Sequence, residues 1–211
     1  MRRTRMIKLY DFPQSPHCQK VRLALSEKDL SYEKVLVDLT KNEQKTPEFL
    51  RLNPYGKVPV LIDDEEVIYD STIINEYLED EYPHPPLLPA QSGERARVRM
   101  FEDFADNSFT AQGNLLVAEL RKPAEQVDRE RVQRYRADLL RVLEFLERQL
   151  EGKEYIARTF SLADLAFVPR LLMLPTLGVE IPARLRNVLA WSERLKQRPS
   201  VKQLQQELAS A

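Results

Sequence analysis

The sequence predicts two domains, a small α/β domain at about residues 1–82 and an all-helical domain at about residues 91–211. The first 82 residues alternate between short β-prone runs and helical periodicity, which is typical of an α/β unit. Residues 83–90 are rich in proline, which indicates a stiff, extended linker. Beyond the linker no strand signal remains, and apolar residues recur at spacings of three and four. We therefore expect an α/β domain followed by an all-α domain.

Composition excludes several function classes. A net charge of −1 gives no general attraction to nucleic acid or to an anionic membrane, and no run is long and apolar enough to span one. The basic start Met1–Arg5 precedes a strand-like run, so we do not expect a signal peptide. One cysteine suits a reducing cytoplasm, and one cysteine with two histidines shows no metal cluster. We expect a cytoplasmic protein without metal, nucleic-acid partner or membrane partner.

The α/β domain is expected to run strand, helix, strand, helical turn, hairpin, helix. The expected ranges are 6–10, 16–28, 31–37, 47–52, 57–62 with 67–69, and 71–82. The first three elements are compact enough for a right-handed crossover. Pro59 lies inside the strand at 57–62. Because proline donates no ladder hydrogen bond, we expect an edge position, a bulge or a cis bond there.

The turn before the first helix carries the strongest chemical signal. Ser15 has the marks of an N-cap and Pro16 suits the first helical position. Cys18 is then the third helical residue, on the same face as Val21 and Leu25. A hydroxyl thus stands at the positive end of the helix dipole, as in a thioredoxin-fold Cys-x-x-Cys turn with its first thiol replaced. The alternatives are a plain helix start and a cysteine that only fills the core.

The second domain is expected to contain five helices. Their ranges are Ser92 to about Leu120, with a bend at Gly113; Val132–Leu150, stopped by Gly152; Leu162–Leu174, bent at Pro169; Pro182–Gln197; and Val201–Leu208. Ser161-Leu162-Ala163-Asp164 is a capping-box pattern, in which the acid reaches back to the Ser161 N–H. This box should nucleate the third of these helices.

Four motifs, in order, carry a family resemblance. They are Ser15-Pro16-His17-Cys18, Asn53-Pro54-Tyr55-Gly56-Lys57-Val58-Pro59-Val60-Leu61, Tyr69-Asp70-Ser71 and Ser161-Leu162-Ala163-Asp164. Together they resemble the glutathione transferase family over essentially the whole chain. The resemblance implies a thioredoxin-like domain that holds glutathione as co-substrate, a helical domain that shapes the site of a small hydrophobic electrophile, and a homodimer. It adds no metal.

The resemblance also implies which residues hold glutathione. Val58 matches the residue whose backbone pairs with the cysteinyl part of glutathione, and Pro59 matches the family's cis proline. Asp70 and Ser71 match the pair that holds the γ-glutamyl end. Lys45 is a looser match, placed by counting back from the Asn-Pro turn, for the cation near the glycine carboxylate.

Ser15 falls where the serine-type classes keep their catalytic serine, and Cys18 where the motif keeps its buried or resolving residue. We expect Ser15 to act as a donor to the glutathione thiolate, because His17 should point away from it. Cys18 is the candidate redox residue of an alternative, a glutathione-dependent thiol/disulfide reductase. The walls of the electrophile site are expected among Phe12, Phe104, Asn107, Ser108 and Arg170.

A second alternative comes from another functional class. The stretches 82–89 and 175–181 resemble stringent starvation protein A, a bacterial relative with the same fold that binds RNA polymerase and is not a transferase. That pattern lacks the serine or cysteine at the first helix, which this chain has. Ser15 therefore favours the enzyme, and RNA polymerase is a partner only under this alternative.

Overall fold

The computed structural model describes residues 6–209, so the basic start Met1–Arg5 lies outside the described residues. The chain divides into two compact units. One runs up to Leu87 and also includes the residues from Gln203 onward, and the other runs from Leu88 to Lys202. No helix within the described part is both long enough and apolar enough to cross a membrane.

The first unit is a four-stranded mixed sheet with helices. Its elements are β1 (Ile7–Asp11), α1 (Pro16–Glu27), β2 (Tyr32–Leu36), α2 (Pro47–Leu52), β3 (Val60–Asp63), β4 (Glu66–Tyr69) and α3 (Ser71–Glu81). The strand order is β2-β1-β3-β4, with β1 and β2 parallel and the other pairs antiparallel. The α/β prediction for this part is confirmed, with element ends within two or three residues.

Strand register decides which loops meet. Tyr10 pairs with Val60, and Val60 pairs with Tyr69. These three paired residues form one register row across the sheet. The row contains the second-to-last residue of β1, the first residue of β3 and the last residue of β4. Because β3 is antiparallel to both neighbours, the loop after β1, the turn before β3 and the start of α3 leave the sheet at the same end.

The second unit is all-helical, as expected. Its helices are α4 (Ser92–Phe104), α5 (Ala111–Leu120), α6 (Arg129–Gln149), α7 (Leu162–Met173) and α8 (Arg186–Lys196); α9 (Pro199–Ala209) begins in this unit. The Asp164 carboxylate accepts from the Ser161 N–H at 3.1 Å, which confirms the capping box. The Ile156 N–H and Trp191 Nε1 also donate to it, both at 2.9 Å, so the buried acid connects three segments of the chain.

Three predictions for the helical unit need correction: the bend at Gly113, the place of Arg170 and the start of α8. The irregularity expected at Gly113 lies earlier, where Ala105–Thr110 form a π-helical segment between α4 and α5. Gly113 instead lets the Arg170 side chain pack closely against the α5 backbone, since a Cβ at this position would lie 2.3 Å from Arg170 Nε. Arg170 is only 2% exposed and donates to Asn114 Oδ1 at 2.6 Å, so it is a core residue and not an exposed wall.

The third correction concerns α8, which begins at Arg186 and not at Pro182. The Glu147 carboxylate, on α6, accepts hydrogen bonds from the main-chain N–H groups of Asn187 and Val188 at 3.1 and 2.9 Å. A carboxylate at the first turn of a helix satisfies its free donors and suits its dipole. The start of α8 is therefore set by a cap from another helix.

Candidate active site

Ser15 occupies the N-cap of α1, as predicted. Its backbone is extended, with φ −74° and ψ 120°, and its N–H donates to the Phe12 carbonyl at 2.9 Å. The Ser15 Oγ accepts from the Cys18 N–H at 3.3 Å. Accepting uses a lone pair and leaves the hydroxyl proton available for donation. A half-buried hydroxyl donor thus stands at the positive end of a 12-residue helix.

Cys18 lies one turn along α1 and is 0% exposed. Burial raises the pKa of its thiol to about 12, and the negative charge of Asp11 acts in the same direction. A thiol of this kind carries almost no thiolate at neutral pH, and the thiolate is the reactive form. The surroundings of Cys18 suit a core residue better than a redox residue.

Val58 and Pro59 lie immediately before β3. The peptide bond between them is cis, one of the three arrangements that the sequence left open. Val58 is half-buried and Pro59 is buried. Because they precede Val60, they lie at the end of the sheet where the chain also leaves β1. The Val58 backbone and the Ser15 turn are therefore at the same end of the sheet.

Asp70 and Ser71 begin α3. Asp70 has a positive φ of 75°, which a residue other than glycine rarely adopts, and such backbones concentrate at functional sites. Its Oδ1 accepts from the N–H groups of Thr72 and Ile73 at 2.9 and 3.4 Å. Asp70 is exposed while Ser71 is buried, so a carboxylate faces solvent beside a sheltered hydroxyl.

Lys45 is exposed, and its Nζ donates to the Tyr55 carbonyl at 3.2 Å. Gly56 makes this approach feasible, because a Cβ on it would lie 2.8 Å from Lys45 Nζ and its φ is +57°. The ring of Tyr55 meets the ring of Tyr69 edge to face at 5.9 Å. Lys45 is thereby connected, through Tyr55, to the residue that precedes Asp70.

Two further residues of α1 belong to this region. His17 Nδ1 lies 3.4 Å from Ser71 Oγ, and Lys20 Nζ donates to Thr72 Oγ1 at 2.8 Å. Lys20 is 1% exposed, so a cation is buried beside the start of α3. The i, i+3 spacing of His17 and Lys20 places both on one helical face, but nothing local to α1 shows that α3 packs there.

Comparison with known proteins gives the family. Residues 9–86 match the family model for the glutathione S-transferase N-terminal domain, and residues 104–199 match that for its C-terminal domain. Glutathione S-transferase 3 of Zea mays is 34% identical over 206 residues, which cover 92% of this chain and 90% of the relative. A stringent starvation protein A homolog of Coxiella burnetii is 32% identical over 179 residues, which cover 83% and 79%.

Solved structures agree. Glutathione transferase URE2P8 of Phanerochaete chrysosporium, solved with oxidized glutathione, superposes with a TM-score of 0.87 at 29% identity, over 100% of this chain and 98% of that one. The predicted fold class is thus confirmed over both units, and so is the family suggested by the four motifs. The chain belongs to the glutathione S-transferase family.

Proposed function

We propose that this chain is an active glutathione transferase, in which Ser15 stabilises the glutathione thiolate for attack on a small hydrophobic electrophile. The observation that carries the proposal is the register row Tyr10, Val60 and Tyr69. It brings the Ser15 turn, the Val58–Pro59 edge and the Asp70–Ser71 helix start to one end of the sheet.

The residues at this end match the chemistry of glutathione. Glutathione is a short extended peptide with two carboxylates and one ammonium group, and an extended peptide is suited to a main-chain edge such as Val58. Asp70 offers a carboxylate for the ammonium group, while Ser71 and the first N–H groups of α3 suit the γ-glutamyl carboxylate. Lys45 supplies a cation for the glycyl carboxylate. The URE2P8 structure was solved with oxidized glutathione, which supports a site for a glutathione compound here.

Ser15 then acts on the sulfur of the ligand. A thiol with a pKa of about 8.5 is only a few per cent ionised at pH 7. A hydrogen bond from the Ser15 hydroxyl, together with the dipole of α1, lowers such a pKa by about 2 units, or roughly 2.7 kcal/mol. The thiolate fraction rises about 10–30 fold as a result. The thiolate attacks the electrophile, its sulfur forms the new bond, and the leaving group departs with the electron pair.

The helical unit is proposed to shape the site of the electrophile, and the protein is proposed to act as a cytoplasmic homodimer, as the family resemblance implies. In that unit the ring of Phe104 packs against two other rings. Its centroid lies 5.0 Å from that of Phe145 and 6.5 Å from that of Phe167. Such a cluster is core packing, so it supports the shape of a site without identifying the substrate.

A non-catalytic regulator that binds RNA polymerase is the second candidate, and the similarity to the Coxiella burnetii homolog favours it. Two assays separate the candidates. For the enzyme we expect retention on immobilised glutathione and turnover of a simple aryl halide. Failure of both assays, together with capture of RNA polymerase by the tagged chain, would refute the transferase and support the regulator. The buried state of Cys18 gives the reductase alternative no structural support.

A further inference from the structure

The loop that carries Ser15 is held by its Pro13 carbonyl. This oxygen accepts two hydrogen bonds from α1, one from Arg22 Nη2 and one from Gln19 Nε2, both at 2.9 Å. Arg22 is 4% exposed and Gln19 is also buried. Pro13 is two residues before Ser15, so the orientation of the Arg22 guanidinium bears directly on the position of the catalytic hydroxyl.

Arg22 is in turn oriented by a residue of α9. Its Nη1 donates to Glu207 Oε2 at 2.8 Å, and Lys34 Nζ donates to the same oxygen at 3.0 Å. Glu207 lies in the part of α9 that belongs to the same compact unit as Ser15. Burial raises the pKa of Glu207, but the hydrogen bond from Lys34 and the charge of Arg22 outweigh it and leave that pKa below its ordinary value. Glu207 is therefore anionic at neutral pH.

A second carboxylate competes for the same guanidinium. Asp11 is 0% exposed, and its Oδ1 lies 3.8 Å from Arg22 Nε. Within the described part of the chain, neither oxygen of Asp11 has a partner at full hydrogen-bond geometry, although the Cys18 thiol lies against the carboxyl group. If Glu207 lost its charge, the Arg22 guanidinium would lose the anionic partner that orients it, and the carboxyl group of Asp11, 3.8 Å from Nε, would be the acceptor nearest for it to turn toward. That turn would release the Pro13 carbonyl.

We propose that Glu207 is a positioning residue for Ser15, acting through Arg22 and the Pro13 carbonyl. A link of this kind holds the hydroxyl in one place without touching the ligand. The inference rests on the proposed function, since Ser15 is the group whose placement it explains. The Arg22 fork is suited to the role because it donates to a carboxylate and to a carbonyl at once.

Glu207→Gln tests the proposal, with Lys34→Gln as the matched control. The control removes the other partner of the same carboxylate and leaves the link from Glu207 through Arg22 to the Pro13 carbonyl in place. For Glu207→Gln we expect kcat to fall about tenfold with a KM for glutathione within about twofold, because a small displacement of a catalytic group costs rate more than binding. The ultraviolet absorbance of the bound thiolate should titrate at a higher pH. Lys34→Gln should match the wild type in all three measurements.

Two further measurements keep the test decisive. Arg22→Lys retains the charge but cannot donate from two nitrogens at once, so it should reproduce the tenfold fall in kcat. The double variant Arg22→Lys with Glu207→Gln should have a kcat no lower than that of either single variant. Amide hydrogen exchange should show faster exchange of the Ser15 N–H in Glu207→Gln than in Lys34→Gln. Equal exchange and equal kcat in these two variants would overturn the proposal. If the wild-type protein showed no turnover, the proposed function would be refuted but the positioning role of Glu207 would not, because the exchange comparison does not depend on activity.

Discussion

His17 on α1 and Ser71 at the start of α3 face each other, with Nδ1 and Oγ 3.4 Å apart. The contact brings two helix N-termini together, one capped by Ser15 and the other by Asp70. Each N-terminus presents main-chain donors and the positive end of a dipole. Two anionic groups of one ligand, a thiolate and a carboxylate, can therefore be stabilised side by side, which is what the proposed reaction requires.

Ser15→Ala should reduce kcat/KM for conjugation about 10–30 fold at pH 7, because the thiol of bound glutathione returns toward its ordinary pKa. The same change removes the N-cap of α1 and should lower the free energy of unfolding by about 1 kcal/mol. Ser15→Thr keeps both the cap and the hydroxyl and serves as the control. Unchanged turnover in Ser15→Ala would remove Ser15 from the mechanism.

Asp70→Asn should raise the KM for glutathione about tenfold and leave kcat nearly unchanged, because it removes the charge that we propose faces the ammonium group. Asparagine caps a helix as well as aspartate does and tolerates a positive φ, so the free energy of unfolding should stay within about 0.5 kcal/mol of wild type. Asp70→Ala loses the cap as well and should be less stable. A KM in Asp70→Asn equal to that of the wild type would show that the ammonium group binds elsewhere.

Cys18 should resist alkylation in the folded protein, since its pKa is raised to about 12 and its side chain is buried. We expect no modification by iodoacetamide at pH 8, and rapid modification once urea unfolds the chain. Intact mass measures both. A mixed disulfide on Cys18 after incubation of the folded protein with oxidised glutathione would contradict this prediction and revive the reductase.

Gly113→Ala should destabilise the helical unit by about 1–3 kcal/mol, because the new Cβ would meet the Arg170 guanidinium 2.3 Å away in a filled interior. Gly93→Ala is the matched control. It places the same methyl group in a helix with nothing within 4 Å and should be neutral or stabilising by up to about 1 kcal/mol. Urea unfolding compares the two variants. Equal effects would show that the contact with Arg170 relaxes without cost.

Asp164 should make stability depend on pH in the acid range. Burial raises its pKa from 3.8 to about 6, so between these values the folded chain holds a proton that the unfolded chain has released. Its contribution to stability is therefore present below about pH 4 and is lost as pH rises to about 6. The difference in unfolding free energy between wild type and Asp164→Asn should shrink by about 2–3 kcal/mol across this window. A constant difference would contradict the shift.

The two helix starts at the candidate site could be predicted from the sequence because their signals are local. Ser15-Pro16 and Asp70-Ser71 carry an N-cap and the first helical residue within a few positions, and the structure forms both helices there. The roles assigned to these residues remain predictions from the family resemblance: Ser15, Lys45, Val58, Pro59, Asp70 and Ser71. His17 and Lys20 were not predicted as neighbours of α3, because the partners that reveal them lie 54 and 52 residues away.

The sequence by itself determined the succession of elements, the change from α/β to all-α, the capped helix starts and the family. Each of these depends on residue spacing or on hydrogen bonds that span three or four positions. Only the tertiary structure decided that α8 starts under the Glu147 cap, and that Glu207 reaches Arg22 across 185 positions. The physical reason is that a buried charge or an uncapped helix end takes its partner from whichever segment packs against it, and no local pattern encodes that choice.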